Sequence, residues 1–90
     1  MAHYVAIIVP SPDRGLRVLF PDIPQCEAEA SDMDDARLAA VDALSRFIET
    51  EDARLPLPRD LSAIERDEDW MSRNGVDLSS AIVTMISIGR

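Results

Sequence analysis

The chain contains no lysine. All nine of its cations are arginines, set against 17 Asp and Glu residues for a formal net charge of −8. No basic stripe runs through it, and an acidic field repels phosphate, which disfavours nucleic acid and anionic membrane as partners. Aromatic residues make up only 4% of the chain, leaving little to stack on bases. The single cysteine, Cys26, excludes an internal disulfide, and nothing else calls for an oxidising compartment. His3 is the only histidine, so no second imidazole is present to build a zinc site. The three glycines do not cluster, which excludes a glycine-rich phosphate loop. The apolar run from Tyr4 is too short to cross a membrane and lacks the basic flank and cleavage site of a signal peptide. A cytoplasmic location is expected.

What is present suffices for one folded domain. The chain has 90 residues, 47% of them apolar, without low-complexity tracts. His3 to Val9 is β-branched and apolar on both faces, the pattern of a strand covered on both sides. Pro10 to Gly15 is dense in turn formers and reads as a hairpin loop, with Gly15 free to take positive φ. Leu16 to Phe20 reads as a second strand, with Leu16, Val18 and Phe20 on one face. Pro21 and Pro24 then force a turn. Cys26 to Ala30 alternates: Cys26, Ala28 and Ala30 point one way, Glu27 and Glu29 the other. Asp32 is a good N-cap, with Asp35 placed to complete a capping box. From there Ala36, Ala40, Leu44 and Phe47 or Ile48 recur at helical spacing to about Glu51, with Met33 and Val41 beside them. The alanines suggest close approach to a sheet. Leu55-Pro56-Leu57-Pro58 predicts a stiff extended connector. Asp60 and Asp67 stand as caps for two short helices, the second closed by Asn74-Gly75. Ala81 to Ile88 is apolar on both faces, which places it beside the first strand in the middle of the sheet.

The order is therefore β-β-β-α-β, an α+β domain. Short turns join the first three strands into an antiparallel meander. The main helix crosses one face, and a right-handed crossover returns the last strand parallel to the first, giving a mixed sheet. This arrangement invites comparison with the RNase H fold, whose enzymes hold two metals on converging acids, one of them on the first strand. Tyr4 to Val9 carries no carboxylate, which argues against that catalysis. The acidic clusters Asp32, Asp34, Asp35 and Asp67, Glu68, Asp69 sit at helix starts, where acids favour the helix dipole. Neither has the spacing of a calcium loop. Cys26 as a nucleophile would need a nearby base, and a cysteine sharing a face with two alanines reads instead as packing. Trp70 and Met71 read either as an interface anchor or as cover for the end of the core. No metal, cofactor or catalytic residue is assigned.

The segment Phe20-Pro21-Asp22-Ile23-Pro24-Gln25-Cys26 resembles the F-P-D-L-P-G-C-like motif of HicB-type antitoxins, between their second and third strands. Tyr4 to Val9 resembles that family's first strand, Asp32 to Ala36 its capped helix start, and Leu55 to Pro58 its proline-rich stretch. Gln25 stands where the family usually has glycine. The resemblance implies a partial RNase H-like domain without catalysis. It implies binding and neutralisation of a small, basic, HicA-type toxin that cleaves messenger RNA, and assembly as a homo-dimer or higher homo-oligomer. The family usually continues into a DNA-binding domain. Residues 1–90 read as a single domain without one, so direct nucleic-acid binding is not expected. Glu27, Glu29, Asp34 and Asp35 are the residues expected to meet a basic partner. An orphan HicB-like module without a toxin is the alternative.

Overall fold

The computed structural model describes residues 2–12, 15–23, 26–51 and 57–88. Pro24, Gln25, Leu55 and Pro56, named above for the family motif and the connector, lie outside the described residues. The strands are β1 (Ala2–Pro10), β2 (Leu16–Leu19), β3 (Glu27–Ala30) and β4 (Ile82–Ile88). The helices are α1 (Met33–Glu51), α2 (Leu61–Glu65) and α3 (Glu68–Asn74), and a 3₁₀ turn covers Leu78–Ser80. The described strands form one sheet in the order β3-β2-β1-β4.

β1 is the strand on which the domain is built. Tyr4, Val5, Ala6, Ile7, Ile8 and Val9 are all buried. Alternation sends them to two separate cores. Tyr4, Ala6 and Ile8 pack with Val18, Phe20 and the α1 residues Ala36, Ala40, Leu44 and Ile48. Val5, Ile7 and Val9 pack with Leu19, Ile64 of α2 and Trp70 of α3. The sheet is thus sandwiched between α1 on one face and the 61–80 segment on the other. Trp70 and Met71 belong to this second cover, which decides for core over anchor.

Local chemistry explains the helix ends. The Asp35 N–H donates to the Asp32 carboxylate at 2.8 Å, so Asp32 caps α1. The returning bond reaches one residue further back than a capping box: the Ser31 N–H donates to Asp35 at 3.2 Å. Asp60 and Asp67 cap α2 and α3 by accepting from the Ala63 and Trp70 N–H groups. Gly75 closes α3 in the left-handed region, φ 64°.

Three expectations are corrected. The last strand is antiparallel to β1, with Ile8 opposite Ile82 and Tyr4 opposite Ile86, so the sheet has no parallel pair and the mixed sheet of the RNase H comparison is not found. A single helical crossover would have brought the chain back parallel. Here a second layer, α2 and α3, intervenes on the other face, and the chain re-enters at Ile82, beside the end of β1. β4 does neighbour β1, but as an edge strand rather than a central one. Gly15 does not use its freedom to take positive φ, and among the described glycines Gly75 alone does so. Glycine is needed at 15 for space, because a Cβ there would lie 2.6 Å from the Ala30 carbonyl oxygen. Third, Val41, read as flanking the apolar face of α1, is exposed, since its angle around α1 turns it off the sheet.

Ala36 and Ala40 have no exposed surface, and they let α1 lie directly on the strands. Ala40→Leu is expected to destabilise by about 1–3 kcal/mol through overpacking. Leu38→Ala on the outer side of the same helix should stay within about 0.5 kcal/mol. Denaturant titration distinguishes them, and equal costs would refute the close approach.

Candidate partner-binding surface

Two backbone hydrogen bonds mark where the chain leaves β2. The Ile23 N–H donates to the Phe20 carbonyl at 3.0 Å, and the Cys26 N–H to the Ile23 carbonyl at 2.9 Å. Phe20, Ile23 and Cys26 join the core beneath α1, and Pro21 is buried as well. Asp22 points elsewhere. Its side chain is only 6% exposed, and its carboxylate accepts the Arg59 backbone N–H at 2.8 Å and the Arg59 Nε–H. Arg59 Nη1 donates at 3.0 Å to Asp67, whose other oxygen accepts the Trp70 N–H at 3.0 Å. One guanidinium therefore ties the turn after β2 to the cap of α3.

Charge states follow this arrangement. The Arg59 pKa is raised, chiefly by its hydrogen bond to Asp22 and then by that to Asp67. Asp67 is held below the ordinary carboxylate range by the Arg59 hydrogen bond first and the Trp70 N–H second. Burial, and after it the charge of Asp22, raises the Tyr4 phenol. Burial pushes the Cys26 thiol up to about 11, so it is a protonated packing group at neutral pH. His3 is exposed, and its Nδ1 lies 2.5 Å from the Ser87 hydroxyl of β4, at the opposite edge of the sheet from β3. A Cys–His pair is not assembled.

The residues expected to meet a partner lie on two elements, β3 and the first turn of α1. Glu27 and Glu29 are exposed on β3, at the sheet edge. Arg17 on β2 faces them, in register with Glu29 and 3.4 Å from Glu27. Glu29 and Asp35 line one open cavity of about 460 Å³, together with Ser11 and Gly15. Asp34 is exposed on the first turn of α1 but does not line that cavity. Asp35 is partly committed to Ser31, leaving Glu29 the freer carboxylate there. Among the described residues no group of three or more His, Cys, Asp or Glu side chains is placed to hold a metal, and no helix is long and apolar enough to cross a membrane. Sequence reasoning missed Arg59. It lies 37 residues from Asp22, and no local pattern signals that pairing.

Comparison with solved structures places this architecture. The chain superposes on a chain of the HicA3 and HicB3 toxin–antitoxin complex with a TM-score of 0.69 and 22% identity, over 98% of this chain and 99% of that one. It superposes on the N-terminal domain of the Burkholderia pseudomallei antitoxin HicB with a TM-score of 0.66 and 16% identity, over 98% and 99%. The fold is that of the HicB antitoxin N-terminal domain. The longer B. pseudomallei HicB structure gives a TM-score of 0.67 and 17% identity, over 99% of this chain and 63% of that one. No protein-family model and no curated protein matches the sequence.

Asp22→Ala is expected to cost about 2 kcal/mol, the value of a hydrogen-bonded charge reduced for the partial exposure of Arg59. The HicB-like fold should persist by circular dichroism. The lowered Asp67 pKa adds a sign. Its stabilisation is complete above the unfolded carboxylate value of about 3.9, and is lost as pH falls through the lower folded value. Arg59→Met should flatten that acid limb in denaturation midpoints measured against pH; an unchanged limb would count against the tie.

Proposed function

We propose that this chain is an antitoxin-like protein that binds and neutralises a small, basic, HicA-type toxin cleaving messenger RNA. The observation that carries this reading is the likeness of fold to a chain of a HicA3–HicB3 complex, which runs along nearly the whole length of both. The charge supports it. A net of −8 with exposed carboxylates on β3 and the start of α1 complements a basic partner and steers its approach. In this reading Glu27, Glu29, Asp34 and Asp35 supply the electrostatic part of the contact. The protein acts in the cytoplasm by occlusion, without chemistry of its own and without contacting nucleic acid directly. It does so as a homo-dimer or larger homo-oligomer. The absence of a carboxylate from Tyr4 to Val9 and the protonated Cys26 thiol are consistent with that role.

The test is titration with a HicA-type ribonuclease encoded beside this chain, reading both binding and RNA cleavage. Stoichiometric binding and loss of cleavage are expected. The double variant Glu27→Lys, Glu29→Lys should slow association about tenfold and flatten its dependence on salt. Undiminished RNA cleavage at saturating protein would rule out the toxin and favour an orphan binding module. Association unaffected by the double variant would move the interface off β3.

A further inference from the structure

The two edges of the sheet are built differently. β3 is four residues long and presents Glu27 and Glu29, so it has the short length and charge that guard an edge against pairing. β4 has seven residues, IVTMISI, with no charge, proline or glycine. It pairs with β1 on one side only, and no described strand lies beyond it. Ile82 is 48% and Met85 51% exposed. They fall on opposite faces by alternation, because Ile86 packs into the α1 core and Val83 against the α2–α3 core. Neither helical layer covers these two side chains. The strip therefore offers open backbone hydrogen-bonding groups flanked by apolar surface above and below.

We propose that the outer edge of β4 pairs antiparallel with β4 of a second copy, forming one continuous sheet with four strands from each. Charge selects this occupant. Two chains of net −8 repel across most surfaces, and β4 is a neutral strip on which they meet without opposed carboxylates. A basic partner finds no acid there to pair with. An antiparallel strand also complements itself, as a two-fold interface requires. Seven residues span about 24 Å, long enough for a full ladder. Dimerisation would cover both Ile82 and Met85, since each rims one face of the new joint. The pairing gives the self-assembly proposed above its surface, and it is independent of toxin binding.

Sedimentation equilibrium of the purified chain across the micromolar range should show a dimer. Met85→Lys brings like charges together at the two-fold axis, Ile82→Lys places a charge on the apolar rim that the joint would bury, and each should weaken the dimer about 100-fold. Both sites are half-exposed, so circular dichroism of the monomer should be unchanged. Leu38→Lys, on the other exposed apolar surface, should leave the dimer intact. Amide exchange at 82–88 should slow as protein concentration rises. A monomeric wild type, a dimer indifferent to both lysines, or one dissolved by Leu38→Lys instead would overturn the proposal.

Discussion

The buried carboxylate of Asp22 constrains the rest of the fold. It sits where the chain leaves β2, and burial at 6% exposure demands a partner. Arg59 supplies it, using a backbone N–H and a guanidinium together. The same guanidinium reaches Asp67 and so fixes the start of α3. α2 and α3 are thereby positioned against the second face of the sheet. Once Ile64 and Trp70 lie over Val5, Ile7 and Leu19, the chain can re-enter the sheet only from the end where β1 finishes. The antiparallel direction of β4 is a consequence of that anchoring.

The hydrophobic effect makes the second layer necessary. β1 has large aliphatic side chains on both faces, and each contributes about 1.5–3 kcal/mol when fully buried. α1 can cover only one face. Left open, Val5, Ile7 and Val9 would form an exposed apolar patch in the middle of the sheet. α2 and α3 are short and would be marginal alone. They are held by side-chain caps, the left-handed Gly75 and the Asp22–Arg59–Asp67 tie, which together replace the cooperativity a longer helix would have.

Much of this was legible because it is local. Periodicity identified the strands and α1, and the caps Asp32, Asp60 and Asp67 marked helix starts to within a residue. The two-faced apolar pattern of Tyr4 to Val9 read as a covered strand for the reason now seen. The same pattern misled for Ala81 to Ile88. Two apolar faces also occur on an edge strand whose rim is bare, and periodicity registers side chains rather than neighbours. Strand direction was illegible because it depends on how many layers the chain crosses between β3 and β4. Gly15 showed as a glycine, but its requirement comes from the Ala30 carbonyl across the hairpin. On the surface, the alternation of Glu27 and Glu29 exposed an acidic row, whereas the cavity shared by Glu29 and Asp35 needed the fold.

The segment that most resembles HicB antitoxins has a structural role in this chain. Phe20, Ile23 and Cys26 are interior, and the Asp22 side chain is occupied by Arg59. Such residues specify how the domain is put together and leave little surface for a partner to read. The motif and the superposition on HicB structures are therefore two views of one fact, the fold, rather than independent support for a function. Discrimination among partners has to reside in exposed side chains, where fold similarity at 16–22% identity is silent. On this chain the exposed carboxylates of β3 lie at one edge of the sheet and the uncharged rim of β4 at the other. Under the function proposed above, that separation would let an acidic protein attract a basic partner at one edge without forbidding contact with its own kind at the opposite one.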